Sequence, residues 1–366
     1  MIWLYLGFLG LIGALLALDL GVFHRKAHVV GVREALKWSA VWISIGVAFS
    51  GLVYLGYEQH WLGLGTTPDQ MSEPMLGPDG TIIYNDGGSA LVKYLTGFVV
   101  EKSLAVDNIF VIAMIFSFFA VPPIYQHRVL FWGVLGALIM RGAMIAVGAT
   151  LLARFAWVMY VFGGFLILTG VKMLLVKEGD ANLDANPIVR LVRRVLPISE
   201  RYHGARFFVR AGSDASHAPA VEGGPIERDR IVERARKGAL LATPLFLGLL
   251  LVEATDVIFA VDSIPAIFAI TTDPFLVFTS NIFAILGLRT LYFALAGMID
   301  AFRYLKVALA AILVVVGTKM VLHGSLKEWL GEHLNFYALG VIAAILATGV
   351  IASLAAGRHA RPATVP

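Results

Sequence analysis

The chain is 366 residues long, with 58% hydrophobic residues, only 15% charged residues and a net charge of +4; its mean hydropathy is +0.80. Soluble globular domains carry about 25% charged residues, so this composition excludes a soluble domain and indicates a membrane protein. The chain has no cysteine, which excludes disulfides, cysteine zinc sites, iron–sulfur clusters and thiol catalysis by these residues.

Apolar segments long enough to cross a bilayer recur along the whole chain. A helix rises about 1.5 Å per residue, so roughly 20 apolar residues span a hydrocarbon core about 30 Å thick. We expect nine spanning helices, the first of them retained, because the N-terminal stretch lacks a basic leader and a cleavage site. They are predicted at residues 2–23, 38–57, 91–119, 129–152, 155–176, 239–270, 275–298, 304–322 and 334–356.

The segments between these helices alternate in charge. Segments 24–37 and 177–238 are rich in Lys and Arg, whereas segment 58–89 holds five acidic residues and no Lys or Arg. Because basic segments prefer the cytoplasmic side, the pattern predicts a multi-pass protein of the bacterial inner membrane, with its N-terminus outside and its C-terminus in the cytoplasm. Segment 177–238 also mixes Pro, Gly, Ser and charged residues, and we expect it to be partly disordered.

These features divide the predicted all-α polytopic protein into six parts, two of which form an internal repeat. The parts are two N-terminal helices (1–57), an extracytoplasmic loop (58–90), a first three-helix unit (91–176), a cytoplasmic basic loop (177–238), a second three-helix unit (239–322), and a last helix with a cytoplasmic tail (323–366).

The repeat is clearest where "EKSLAVDNIFVIA" (101–113) aligns with "DVIFAVDSIPAIF" (256–268). Across the two units the alignment superimposes Glu101 on Asp256, Asp107 on Asp262, Asn108 on Ser263, Arg141 on Arg289 and Lys172 on Lys319. Because three is an odd number, the second unit enters the membrane from the opposite side. We therefore expect two inverted three-helix repeats, an architecture typical of transporters with a substrate site near the bilayer midplane.

Carboxylates are rare inside a membrane, because an unpaired one at the bilayer centre costs about 3 kcal/mol on insertion scales. At about 100° per residue, Asp107 lies about 120° around its helix from Glu101, and the second repeat has the same offset. Pro265, three residues after Asp262, removes a helical hydrogen bond.

Two arrangements of the acids stay open. Both acids of each repeat line a wide cavity at a helix break, or one acid faces the substrate while the other meets a cation. The candidate cations are Arg141, Arg289, Lys172 and Lys319. The alternative to any binding role is a set of fixed ion pairs that only locks the helix bundle.

The acids and their polar neighbours form an all-oxygen ligand set, which suits Mn²⁺, Ca²⁺ or Mg²⁺ and suits Cu(I) poorly. The predicted ligands are Glu101, Asp107, Asn108, Glu253, Asp256, Asp262 and Ser263. Asp19, near the end of the first helix, is a candidate entry ligand with His24 and His28, or an ordinary surface charge. We expect the cation to be a transported substrate and not a tightly bound cofactor.

Other chemistry finds no support in the motifs. No P-loop, dinucleotide-binding or kinase motif occurs, and no Ser or Thr has the context of a nucleophile, so we do not expect an enzyme. The basic loops explain the pI near 9.2 as topology signals, so no nucleic-acid partner is expected. The expected partners are the lipid bilayer, a divalent cation and protons.

Several motifs resemble those of TerC-family integral membrane proteins. They are "EKSLAVDNIFV", "HRVLFWGVLGALIMRG", "LLVEATDVIFAVDSIPAIFAIT", "NIFAILGLRTLYF" and "GTKMVLH", and the similarity runs from about residue 3 to 325 apart from 177–238. The resemblance implies membership of the LysE transporter superfamily and a role in Mn²⁺ efflux and metal homeostasis. Its motif acids correspond here to Glu101, Asp107, Asp256 and Asp262, with Asn108, Glu253 and Ser263 beside them.

The resemblance raises Mn²⁺ above Ca²⁺ and Mg²⁺, a choice that the spacing of the acids does not make. The family is named for tellurium resistance, but a carboxylate-lined site would repel the tellurite anion.

Taken together, the residues and the resemblance predict export of Mn²⁺ by proton antiport. Expelling a dication against about 100 mV, negative inside, costs about 4.6 kcal/mol, so efflux requires a driving ion. Carboxylates can bind either a metal or protons. Two alternatives stay open: a Ca²⁺/H⁺ exchanger, and a non-transporting membrane scaffold or assembly factor that acts through its loops.

Overall fold

The computed structural model describes residues 2–21, 31–77, 80–175, 197–213, 229–295 and 304–359, together with residues 190, 194 and 219. Within these residues the protein is mostly helical, with two small two-stranded antiparallel sheets. One sheet pairs β1 (Met75–Leu76) with β2 (Ile82–Ile83), and the other pairs β3 (Phe208–Arg210) with β4 (Leu240–Ala242).

The α-helices follow the apolar segments of the sequence. They are α1 (Ile2–Gly21), α2 (Val32–Glu58), α3 (Gly87–Phe118), α4 (Pro123–Arg154), α5 (Val158–Leu175), α6 (Arg230–Arg234), α7 (Pro244–Phe268), α8 (Pro274–Ile285), α9 (Leu288–Leu295), α10 (Leu305–Val321), α11 (His323–Leu330) and α12 (Leu334–His359). Short 3-10 turns lie at Trp61–Gly63 and Gly331–His333.

Five of the described helices are long and apolar enough to cross a membrane: α2, α4, α5, α7 and α12. Two bent pairs raise the number to seven if each pair is one span: α8 with α9, bent by 40°, and α10 with α11, bent by 87°. Each of the nine predicted segments contains a helix or a bent pair, but the count of nine spans is not confirmed. The 32-residue helix α3 falls outside the apolar set because Lys93, Glu101, Lys102 and Asp107 interrupt it.

Two predicted segments differ from the structure in detail. Residues 240–242, predicted as the start of a helix, form β4 instead and pair with β3. The segment predicted at 275–298 is interrupted between α8 and α9, where Gly287 has φ +78 and packs against Trp42. Helix α7 passes through Pro265 and ends three residues later, at Phe268.

The helices of the two predicted repeat units pack in a reciprocal pattern. Helix α3 packs on α8, α4 packs on α7, and α5 packs on α10. Exchanging the units, with α3 for α7, α4 for α8 and α5 for α10, reproduces the same pairs. The inverted orientation of the units stays a prediction.

The contact between α5 and α10 depends on glycines. A Cβ on Gly170 of α5 would lie 2.7 Å from the carbonyl oxygen of Ala310, and one on Gly317 of α10 would lie 2.7 Å from that of Gly163. Small residues let helix backbones approach closely, and this packing drives helix association in a membrane. The two predicted units therefore meet where neither helix tolerates a side chain.

We expect Gly170→Ala to lower the thermal stability of the detergent-solubilised protein, by about 1–3 kcal/mol, because the added methyl would overpack against backbone atoms. Gly164→Ala is the matched control on the same helix, since nothing lies within 4 Å of the place that its Cβ would take, and alanine favours a helix by up to about 1 kcal/mol. Equal melting temperatures for the two variants would contradict this account of the contact.

Candidate cation-binding site

A buried arginine joins three helices. Arg141 on α4 is 2% exposed, and its Nε and Nη2 atoms donate to Asp256 Oδ2 and Oδ1 on α7, at 3.2 and 3.0 Å. Its Nη1 donates to Glu101 Oε1 on α3 and, at 3.2 Å, to Ser263 Oγ on α7. We call Glu101, Arg141, Asp256 and Ser263 the arginine cluster. Removing any one member would leave buried polar groups unpaired.

Asn108 on α3 extends the arginine cluster. Its Nδ2 donates to Asp256 Oδ1 at 3.2 Å. Two buried acceptors here, Asn108 Oδ1 and Glu101 Oε2, have no hydrogen-bond partner among the described residues. Buried polar atoms are normally satisfied, so a donor, a water molecule or a cation would be stabilised beside these two oxygens.

A cavity of about 340 Å³ adjoins the arginine cluster, with walls from α3, α4, α5, α7 and α10. Two half-buried carboxylates line it, Asp107 from α3 and Asp262 from α7. Thr169 Oγ1 on α5 donates to Asp262 Oδ1 at 3.3 Å. The remaining polar lining residues are Asn108, Arg141, Lys172, Ser263 and Lys306.

The offset of the acids around each helix explains this separation. Glu101 and Asp256 contact Arg141, whereas Asp107 and Asp262, about 120° further around their helices, line the cavity. For the arginine contacts, this is the second of the two arrangements that the sequence left open. Lys172 lines the same cavity as Asp262.

Other predicted site residues lie apart from the cavity. The carboxyl group of Glu253 packs against Gly136 on α4, where a Cβ would not fit. Arg289 on α9 lies near Trp42 and Thr290. Lys319 on α10 donates to the carbonyl oxygen of Ala269 and to Asn335 Oδ1, at 3.2 and 2.8 Å.

The seven predicted ligands do not form one coordination group in this arrangement. In the part of the chain that the structure describes, no three acidic or histidine side chains are grouped so as to hold a metal ion. Asp19 belongs to α1, but its side chain lies outside the described residues, as do His24 and His28. The predicted ligand set, including the entry ligand, stays a prediction.

The sequence interpretation missed two polar residues of the cavity, Thr169 and Lys306. Thr169 precedes Lys172 by three residues, a spacing that puts both on one face of a helix, and this signal could have found it. Lys306 follows Arg303 near the predicted start of a helix, where a basic residue is ordinarily a topology signal. Neither position is polar in the other repeat, since Val316 and Met159 occupy the equivalent places.

Sequence comparisons give the family of the chain. A family model described as "Integral membrane protein TerC family" matches residues 86–361. The chain is 46% identical over 357 residues to "Uncharacterized membrane protein STKORF319" from Myxococcus xanthus, covering 98% of this chain and 93% of that protein.

Two further relatives carry the name "Putative membrane-bound redox modulator Alx". The one from Photorhabdus laumondii is 41% identical over 349 residues, covering 93% of this chain and 91% of that protein. The one from Escherichia coli K12 is 41% identical over 317 residues, covering 86% and 84%. No solved structure matches the chain significantly.

The family match covers both predicted repeat units. The relatives carry names that describe membrane proteins, and the alignments cover almost their full lengths. Together with the five to seven candidate spans, these similarities identify a multi-pass integral membrane protein. The chain belongs to the TerC family of integral membrane proteins.

Proposed function

We propose that this protein exports a divalent metal cation, in the first place Mn²⁺, in exchange for protons. The proposal includes a location in the bacterial inner membrane, an outside N-terminus and a cytoplasmic C-terminus. It also includes an inverted relation between the two three-helix units. The cation is a substrate in this proposal, and the protein needs no resident cofactor.

The observation that carries the proposal is the pair of carboxylates in one membrane cavity. Asp107 and Asp262 come from equivalent positions of the two units and line the same space. Beside them lie the side-chain oxygens of Asn108, Ser263 and Thr169, and the chain offers no sulfur ligand from cysteine. Oxygen ligands of this kind favour hard and borderline divalent ions over soft ones.

The arginine cluster supports different roles for the two acids of each unit. One guanidinium faces two carboxylates, so the formal charge of the cluster is about −1 if all three groups are ionised. Its contacts fix α3, α4 and α7 relative to one another. In this proposal Glu101 and Asp256 hold the geometry, and Asp107 and Asp262 bind the transported ion, which would draw the two carboxylates together across the cavity.

The cavity lining indicates a direction of access in the proposed orientation. Asp107 lies eleven residues before the end of α3 and Asp262 six residues before the end of α7, while Met114, Lys172 and Lys306 lie near the cytoplasmic ends of their helices. The cavity thus faces the cytoplasm, the side from which an exporter loads. Lys172 and Lys306 offset the charge of the cavity carboxylates, and a dication entering the site would take over that role.

The driving force follows from electrostatics. Moving a dication outward against about 100 mV costs about 4.6 kcal/mol, and no nucleotide-binding motif occurs in the sequence. Carboxylates that exchange a metal for protons supply the coupling that such transport requires.

The name of the Alx relatives favours a second candidate, a role in redox balance. This chain contains no cysteine, so its own residues would not perform thiol exchange. Export of a redox-active cation is one route by which a membrane protein would alter redox balance. The Ca²⁺/H⁺ exchanger and the scaffold stay as rivals, and the first differs from our proposal only in the ion that competes for transport.

Neutralising the cavity acids should abolish flux without unfolding the protein. We expect inside-out vesicles with an imposed pH gradient to take up Mn²⁺ when they contain wild type, and not when they contain Asp262→Asn or Asp107→Asn. Glu200→Gln, at an exposed carboxylate, is the control and should retain full flux. Normal uptake by a well-inserted Asp262→Asn would remove that residue from the pathway, and inactivity of wild type with both Mn²⁺ and Ca²⁺ would favour the scaffold.

Removing the charge of Arg141 should destabilise the fold. Arg141→Met leaves Glu101 and Asp256 buried without their partner, and breaking a buried ion pair from one side costs about 3–5 kcal/mol. Adding Glu101→Gln and Asp256→Asn to Arg141→Met should restore most of that loss, because no buried charge then stays unpaired. The measurement is thermal unfolding in detergent; a triple variant no more stable than Arg141→Met would contradict the assigned pairing.

A further inference from the structure

A second buried polar network lies at the opposite end of the bundle from the cytoplasmic mouth of the cavity. It centres on Asp69, in the loop between α2 and α3, which is 2% exposed. The loop residue contacts the first turns of α3 and the segment between α7 and α8. We call Asp69, Asn85, Lys93, Thr271, Thr272 and Asp273 the outer latch.

Asp69 accepts an unusual number of hydrogen bonds. The donors to its Oδ2 are Thr271 Oγ1 at 2.5 Å, Lys93 Nζ at 2.8 Å and Asn85 Nδ2 at 3.1 Å, and those to its Oδ1 are Thr272 N at 2.9 Å, Thr272 Oγ1 at 3.0 Å and Met71 N at 3.0 Å. Burial alone would raise the pKa of Asp69, but Lys93 and these donors outweigh it and hold that pKa well below its usual range. The carboxylate is therefore ionised and fully engaged.

The outer latch joins the same two helices that carry the cavity carboxylates. Lys93 and Asp107 lie on α3, and Thr271 lies three residues after the end of α7, which carries Asp262. Between the latch and the cavity lies a buried apolar layer that includes Val100, Ile267 and Phe268. The cavity is open toward the cytoplasmic end of the bundle. Toward the outer end, the outer latch and the apolar layer close it.

Lys319 relates the outer latch to the internal repeat. It is the counterpart of Lys172 and lies at the latch end, bonded to the carbonyl oxygen of Ala269 just before Thr271. In an outward-open state each three-helix unit would adopt the conformation that the other has here. Lys319 would then line a cavity open to the outside, as Lys172 lines the present cavity. Such a cavity would form directly beneath the outer latch.

We propose that the outer latch is the closed outer gate of the transport pathway and that it breaks when the protein opens outward. This inference rests on the proposed export function, since a gate needs a pathway. A network of hydrogen bonds suits the task, because its groups exchange protein partners for water when they open, at a small net cost for each bond.

The geometry of Asp273 makes the outer latch sensitive to pH. Its Oδ1 accepts from the backbone of Phe275 and Leu276 at the start of α8, while its Oδ2 shares Asn85 Nδ2 with Asp69, at 3.4 Å. The ionisable groups that face Asp273 are Asp69 from the loop, Tyr57 from α2 and Tyr5 from α1, with Lys93 of α3 and Lys319 of α10 beyond Asp69. Burial and the neighbouring Asp69 raise the pKa of Asp273 to about 6.

The direction of the pH effect follows from that shift. The closed latch favours the protonated form of Asp273, and contact with water on opening would return its pKa toward the ordinary value near 4. The closed state therefore binds the proton more tightly and is favoured at low pH. Raising the outside pH through about 6 should favour opening.

The experiment uses a single reporter in this naturally cysteine-free chain. Thr96, 1% exposed and one turn below Lys93 on α3, is replaced by cysteine, and a membrane-impermeant maleimide is applied to the outside of right-side-out vesicles. We expect slow labelling of Thr96→Cys alone and labelling at least tenfold faster after adding Asp69→Asn. Adding Asp86→Asn, at a carboxylate on the same loop that caps α3 outside the latch, should change nothing.

Two further arms keep the test decisive. Labelling is compared with that of the same cysteine in denatured protein, because the thiolate that reacts becomes more abundant as pH rises. Relative to this reference, labelling should accelerate from pH 5 to pH 7, and Asp273→Asn, which keeps a helix-capping side chain but cannot titrate, should remove that acceleration. If Asp69→Asn does not fold, Thr271→Val serves as the milder variant. Slow labelling in folded latch variants, with no pH dependence beyond that of the denatured reference, would overturn the gate and leave only a structural role for the network. Labelling does not depend on metal flux. If the labelling results hold but the wild-type protein transports no Mn²⁺, the export function is rejected and the opening of the outer latch is not.

Discussion

The structure depends on the pairing of charge in an apolar surrounding. Two motif carboxylates lie inside the bundle, where unpaired they would oppose insertion, and one guanidinium forms an ion pair with each of them. Because Glu101, Arg141 and Asp256 come from three different helices, the pairing also determines how α3, α4 and α7 are rotated about their axes. That rotation turns Asp107 and Asp262 toward the cavity, so the fixed ion pairs and the candidate binding site are two results of one constraint.

Much of this arrangement could be predicted from the sequence. Helix positions followed from apolar runs, and the repeat singled out the acidic motifs and their candidate cations. The choice of Arg141 over Arg289 could not be predicted, because equivalent positions in a repeat have equivalent sequence signals. Helix packing decides between them, and it places Arg141 beside Glu101 and Asp256. Nor does hydropathy reveal the bend at Gly287, which depends on a local φ value and a contact with Trp42.

The outer latch could not be predicted from the sequence, for a related reason. Asp69 lies in a loop rich in acids, and such residues are usually solvated, so its composition signals only an outside location. The structure instead buries it against α3 and the segment that follows α7, and surrounds it with donors. Nothing in the residue type distinguishes it from Asp86, which caps α3 at the surface. Tertiary contacts alone separate the two carboxylates. They bury Asp69 among hydrogen-bond donors at one end of the bundle, while Asp107 and Asp262 line the cavity.

The central claim is that Asp107 and Asp262 hold one cation together. The most direct test is a double-mutant cycle on Mn²⁺ affinity, measured by titration of the purified protein with wild type, Asp107→Asn, Asp262→Asn and the double variant. Two ligands of the same ion are energetically coupled, so each single change should weaken binding by at least about tenfold, and the second change should add much less than the first. Wild-type affinity in either single variant, or losses that simply add, would contradict a shared site.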